Sequence, residues 1–152
     1  MKKLFALILT VCLLAAMATT AFAANTAGGE ADITTSIDPT YTVTIPADVN
    51  VAFNATETAF GTIEVTASQI HPDKCIKVAL ATDKELNNAI DNTKVIPYAI
   101  KDSEGAEFTS ATYLTEGDKT ELSIHITAND WNAAYAGEYS DTVTFTVSYE
   151  DK

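Results

Sequence analysis

Apolar and polar residues alternate with a period of two along most of the chain after residue 38. Such stripes place every second side chain on one face of a β-strand, so they predict strands with one buried face and one wet face. The apolar members of the stripes are Tyr41, Val43 and Ile45; Val49, Val51 and Phe53; Ile63, Val65 and Ala67; Ile76, Val78 and Leu80; Ile96, Tyr98 and Ile100; Leu122, Ile124 and Ile126; and Val143, Phe145, Val147 and Tyr149. The last stripe is the longest and predicts a core-facing strand near the end of the chain.

Turn residues separate these stripes. Residues 102–105 and 116–119 each include a glycine, which tolerates the positive φ of a tight turn. Short strands joined by such turns predict an all-β fold over residues 39–152, an antiparallel two-sheet immunoglobulin-like β-sandwich of seven to eight strands. A closed barrel is the alternative. Two short helical turns are expected, one over residues 83–91 and one over residues 129–136, the second capped by Asn129 or Asp130.

The first 23 residues have the features of a signal peptide. Lys2 and Lys3 give a positive start, an apolar run follows over residues 4–17, and Ala21-Phe22-Ala23 supplies a small-x-small cleavage site. The apolar run is shorter than the roughly 20 residues that span a bilayer, so no membrane span is expected. The sequence therefore predicts a secreted, extracellular protein associated with the cell surface.

The composition of residues 24–152 excludes some functions. This part holds 7 lysines, no arginine and all 21 carboxylates, a formal charge of −14. Nucleic-acid binding is not expected, because phosphate contacts need clustered Lys and Arg. Cys75 is the one cysteine left after cleavage, so an intramolecular disulfide cannot form, and we expect its thiol to pack at the start of a strand.

No catalytic or cofactor constellation is present in the sequence. The two histidines, His71 and His125, lack the spacing of a metal site, and neither is tied to Cys75 by a known pattern. Asp102, Glu104 and Glu107 share one loop and are calcium candidates by their oxygen ligands, although they lack the calcium-loop spacing. We therefore expect a protein that is not an enzyme and has no cofactor and no metal.

Residues 24–38 differ from the rest of the chain. Their first part carries no side chain that packs well and is expected to be flexible. Ile33 and Ile37 then lie on one face of a further alternating stretch. This stretch predicts either the first edge strand of the sandwich or a donor strand that pairs with the open edge of a neighbouring molecule.

Two segments carry a resemblance to known proteins. They are Tyr41-Thr-Val-Thr-Ile-Pro-Ala47 and the closing run from Trp131 to Tyr149, which contains Gly137-x-Tyr139-x-Asp141-x-Val143. They resemble small secreted immunoglobulin-like surface proteins of Gram-positive bacteria, in the group of fimbrial-pilin-like and spore-coat-U-like β-sandwiches. The resemblance implies a sandwich at the cell surface with a role in adhesion, fibre building or coat structure.

The aromatic residues before the last strand are the best ligand candidates. Trp131 and Tyr135 could form a platform on which a sugar ring stacks, since aromatic faces offer large apolar area. Two functions follow from the sequence. The first is a non-catalytic structural or adhesive module that works alone or as a self-assembling subunit, with copies of itself or other surface proteins as partners. The alternative is a carbohydrate-binding module with a glycan as partner.

Overall fold

A computed structural model describes residues 32–152 of the chain. The predicted signal peptide, residues 1–23, and the first part of the predicted flexible segment lie outside the described residues. The chain divides into two units, Met1–Thr35 and Ser36–Lys152, and all the strands below belong to the second. Between residues 32 and 152, no helix has the length and apolar character needed to cross a membrane.

Ten β-strands and one short helix make up the second unit. The strands are β1 (Thr40–Thr44), β2 (Glu57–Gln69), β3 (Lys74–Ala81), β4 (Glu85–Asn88), β5 (Val95–Pro97), β6 (Ala99–Asp102), β7 (Ser110–Tyr113), β8 (Lys119–His125), β9 (Tyr139–Ser140) and β10 (Thr144–Asp151). The helix α1 (Ala128–Ala133) begins after Thr127, whose side-chain oxygen accepts a hydrogen bond from the Asp130 N–H. The helix is therefore capped earlier than the sequence predicted, by a threonine that fills the same role.

The strands form three antiparallel sheets. The first has the order β1-β2-β8-β6, the second β10-β3-β7, and the third β5-β4-β9. The predicted all-β, antiparallel fold is confirmed. The strand number is larger than predicted because the third sheet consists of very short strands. The helical turn predicted over residues 83–91 is wrong: strand β4 lies there, and its sequence, Glu-Leu-Asn-Asn, has no apolar alternation to reveal it.

The first two sheets share one hydrophobic core. Ile63 and Val65 of β2 are fully buried, as are Ile76 and Val78 of β3, and all four belong to the same cluster. Because β2 and β3 lie in different sheets, the two sheets pack against each other through these side chains. The cluster is completed by Ile96, Tyr98, Ile100, Phe108, Tyr113, Leu122, Ile124 and Ile126. The predicted core faces of these central strands are confirmed, and Cys75 is buried at the start of β3 as expected.

One side of this packing is closed by the chain itself. The connection from β6 to β7 crosses from the first sheet to the second, and the Phe108 N–H donates to the Ile100 carbonyl (2.8 Å). Phe108 and Tyr113 are both buried there, with 4% and 3% of their surface exposed. We call this region, residues 99–113, the closed side.

Residues 32–39, the described part of the segment before β1, do not form the edge strand that was one of its two predicted roles. Residues 32–39 have no regular secondary structure, and the outermost strand of the first sheet is β1, which pairs with β2. Ile33 is 99% exposed and Ile37 is 63% exposed. Two isolated isoleucines among polar residues bury too little apolar surface within one chain to hold a strand in place.

Candidate functional site

The last strand lies at an edge of the second sheet. β10 pairs with β3 along its whole length, from Thr144 opposite Ala81 to Asp151 opposite Lys74. Among the described residues, no strand pairs with its other edge. An eight-residue edge of this kind is a template for pairing with another chain.

The direction of the β10 amides follows from the hydrogen bonds of β3. The Leu80 N–H donates to the Thr109 carbonyl (2.8 Å), next to β7, so Leu80 faces β7. Successive residues of an antiparallel strand point their N–H and C=O groups to opposite sides. Ala79 and Ala81 therefore face β10.

The partners of these alanines fix which β10 residues face outward. Thr146 lies opposite Ala79 and Thr144 lies opposite Ala81, so the backbone groups of both threonines point at β3. The N–H and C=O groups of Phe145 and Val147 must then point away from β3. These groups form the free hydrogen-bonding edge.

A cleft of about 950 Å³ opens beside the first half of β10. One wall is the connection after β1, residues 45–53, and the other is the stretch from Gly137 to Phe145. The buried side chains of Ile96 and Ile124 lie at its base. We call this the β10 cleft. Apolar walls next to a free strand edge are the two features that an added strand requires.

The side chains on this side of the molecule are only partly covered. Phe145 meets Phe60 of β2 with ring centroids 5.9 Å apart, and Tyr149 stacks on Tyr41 of β1 at 5.8 Å. Val147 nevertheless remains 37% exposed. β1 and β10 thus face each other through aromatic rings with no hydrogen-bonded ladder between them. We call this region, β1 and β10 with the β10 cleft, the open side.

This exposure corrects the sequence-based expectation for several stripes. Tyr41, Ile45, Val49, Phe53 and Val147 are predicted to point at a core, but they are between 36% and 79% exposed. All of them lie on the open side or in the wall of the cleft, where no further strand covers them.

The charged residues that line the cleft are all acidic. They are Asp48, Glu138 and Asp141. Four lysines of the described residues pair with carboxylates outside the cleft, as with Lys77 and Glu150 on the second sheet (3.2 Å). The cleft therefore combines apolar walls with a negatively charged rim.

Asp141 is held in place by a small hydrogen-bond network. The hydroxyl groups of Thr82 (2.9 Å) and Tyr98 both donate to its carboxylate. Burial raises the pKa of Tyr98 above its ordinary value, and the bond to Asp141 raises it further. The phenol therefore stays protonated and donates, so this network fixes the carboxylate at the cleft wall.

The structure does not bring Trp131 and Tyr135 into one platform. The Trp131 ring lines the cleft and contacts Phe53 edge-on, with centroids 5.6 Å apart, while its indole N–H donates to the Ala55 carbonyl (2.8 Å). Tyr135 does not line the cleft, and its ring lies under the Lys94 ammonium at 5.1 Å. Phe53, which was predicted to face the core, is thus the aromatic partner of Trp131.

Two of the three calcium candidates, Asp102 and Glu107, have carboxylates that already bind other groups of the chain. The Asp102 carboxylate accepts the N–H groups of Glu104 (3.0 Å) and Ala106 (3.0 Å), which is how it stabilises its own turn. Glu107 pairs with Lys84. Across residues 32–152, no three His, Cys, Asp or Glu side chains cluster as metal ligands.

Comparisons with known proteins do not assign a family. No protein-family model matches the chain, and no curated protein matches it. One similar solved structure is a chain from a chaperone–tip adhesin complex that activates the biogenesis of CFA/I fimbriae, with 10% identity and a TM-score of 0.47. The alignment covers 71% of this chain and 42% of that one. The likeness is too weak to carry function across.

Proposed function

We propose that this chain is a non-catalytic structural or adhesive module of the cell exterior that joins another polypeptide by strand addition at β10. The observation that carries the proposal is the free edge of β10 beside an apolar cleft. An extended segment added here satisfies the outward N–H and C=O groups of Phe145 and Val147. It also covers the apolar surface that the open side leaves in contact with water.

The geometry of an extended chain fits both parts of the site. Side chains two residues apart in a strand point to the same face and are about 6–7 Å apart. An occupant that pairs with β10 therefore directs every second side chain into the cleft, towards Phe60 and Phe145, and the rest to solvent. Main-chain hydrogen bonds supply affinity, and the cleft selects the size of the inserted side chains.

The N-terminal segment of a second copy is one source of such a strand. Ile33 and Ile37 are exposed and lie on the same face of an extended chain, so they could enter the cleft of a neighbour. Export by the predicted signal peptide would place all copies together outside the cell. Replacing both isoleucines by Asp would then abolish self-association without unfolding the domain.

The experiment uses a proline at each of two neighbouring positions. Val147→Pro removes an N–H that points away from β3, and Pro is tolerated on the free side of an edge strand. The variant should fold, as circular dichroism will show, yet bind its partner about tenfold more weakly, since one hydrogen bond of roughly 1–2 kcal/mol is lost. The measurement is the fraction of the chain found in high-mass complexes extracted from the cell surface.

Thr146→Pro is the matched control. It removes an N–H that faces β3, so we expect it to destabilise the fold itself by about 1–2 kcal/mol. A folded Val147→Pro variant that enters complexes as well as the unaltered chain would refute strand addition at β10. Sedimentation of the purified chain, with and without the Asp replacements at Ile33 and Ile37, shows separately whether the partner is a second copy.

A further inference from the structure

We infer that the segment received by the β10 cleft is cationic and belongs to a different protein. The inference rests on the proposed strand addition and names the chemistry of its partner: an extended stretch with apolar side chains two residues apart, flanked by Lys or Arg. Two observations carry it. One is the charge of the cleft, and the other is the charge of residues 24–38, the donor segment that the sequence predicts.

The cleft presents negative charge without a compensating cation. Within the described residues, neither Asp48 nor Glu138 forms an ion pair, and no lysine lines the cleft. Asp141 is fixed at the wall by Thr82 and Tyr98, so its charge cannot turn away when a segment enters. An occupant with basic residues supplies the missing counter-charge, and this arrangement favours the correct partner over others.

The exclusion of water from the cleft and the net charge of the chain both strengthen the preference for a cationic segment. An inserted segment displaces water from apolar walls, and charges interact more strongly where water is excluded. The net charge of −14 over residues 24–152 also attracts a cationic partner from a distance and speeds its encounter. The acidic rim thus contributes to both selection and rate.

The chain's own N-terminal segment has the wrong charge for this cleft. Residues 24–38 contain Glu30, Asp32 and Asp38 and no lysine or arginine. Insertion of Ile33 and Ile37 from a second copy would bring these carboxylates close to the acidic rim of the cleft. Like charges placed together across an interface are unfavourable and exclude wrong partners.

Two peptides that differ only in charge test this directly. The first is residues 30–38 of the chain, and the second is the same peptide with E30K, D32K and D38K. Both keep the two isoleucines. Binding to the purified protein is measured through the fluorescence of Trp131, the single tryptophan, which lines the cleft. We expect the cationic peptide to bind at least about tenfold more tightly at low salt, and the difference to shrink in about 1 M salt.

Charge removal at the cleft provides the matched variants. Asp48→Asn combined with Glu138→Gln should reduce the preference for the cationic peptide several-fold. Glu104→Gln combined with Glu116→Gln removes the same charge from exposed turns outside the cleft and should leave the preference unchanged. If both double variants lose the preference for the cationic peptide equally, the preference comes from net charge in general, and the inference is overturned.

The outcomes separate this inference from the proposed function. If both peptides bind equally, and Val147→Pro weakens both, strand addition stands and the cationic partner is wrong. Tighter binding of the unaltered peptide would identify a second copy as the occupant and also overturn the inference. If neither peptide binds, strand addition at β10 and the cationic partner fail together.

Discussion

The closed side and the open side of the molecule both carry apolar residues that face the core, but these residues are buried to different degrees. On the closed side, the chain passes from β6 to β7, and Phe108 is 4% exposed between the two sheets. On the open side, β1 and β10 meet through aromatic rings, and Val147 is 37% exposed. Apolar alternation is therefore not enough to bury a strand. A covering segment must also be present, and on the open side the described chain does not provide one.

The largest expected difference between the two sides is in the free energy of unfolding lost when a phenylalanine on each side is replaced by alanine. Phe108→Ala leaves a cavity among buried neighbours and should cost about 3–5 kcal/mol of unfolding free energy. Phe145→Ala removes a ring that is already partly in water, so it should cost roughly half as much. Urea denaturation of the two variants measures both values. Equal losses would mean that the open side is as well packed as the closed side.

A smaller effect on the free energy of unfolding is expected when the pH is lowered, because of a carboxylate in the turn that links the first two sheets. The Asp118 carboxylate, between β7 and β8, accepts the N–H groups of Leu114 (2.8 Å) and Thr115 (2.9 Å). These two hydrogen bonds hold the pKa of Asp118 below its ordinary value of 3.8, and the bond from Leu114 has the larger effect. Because the folded pKa is the lower one, this stabilisation is complete above pH 3.8 and is lost as the pH falls through the folded value.

Asp118→Asn isolates this contribution from the other carboxylates. The unaltered protein should be more stable than the variant near neutral pH, and the gap should narrow as the pH is lowered to about 2–3. Chemical denaturation of both proteins at several pH values checks this. A gap that stays constant with pH would show that the charge of Asp118 does not stabilise the turn. The open side should be unaffected, because none of these groups lines the β10 cleft.

The central strands were predictable from sequence because each pairs with another strand at both of its edges. Ile63 and Ile76 lie in strands with a neighbour at each edge, so period-two alternation translated directly into burial. The last stripe is only partly buried: Phe145 packs against the core, whereas Val147 is 37% exposed. Its alternation is as regular, but Phe145 and Val147 lie in an edge strand, and edge position depends on pairings with residues more than sixty positions away, as in Phe145 with Leu80.

The candidate site was harder to predict because distant segments build it. Trp131 and Tyr135 are near in sequence, yet only Trp131 lines the cleft, where it meets Phe53 from the connection after β1. A signal was present: Val49, Val51 and Phe53 alternate but lie in a stretch without regular structure. These residues line the cleft without forming a strand. The sequence alone could not show this, because the same alternation is expected of a strand.

The most direct test of an open edge that receives a strand is residue-resolved amide hydrogen exchange by NMR along β10. In the free protein, the N–H groups of Phe145 and Val147 should exchange much faster than those of Thr144 and Thr146, which face β3. Addition of the cationic peptide should protect Phe145 and Val147 and leave the closed side unchanged. Equal protection of all four amides in the free protein, or no added protection at Phe145 and Val147 with the peptide bound, would contradict the account.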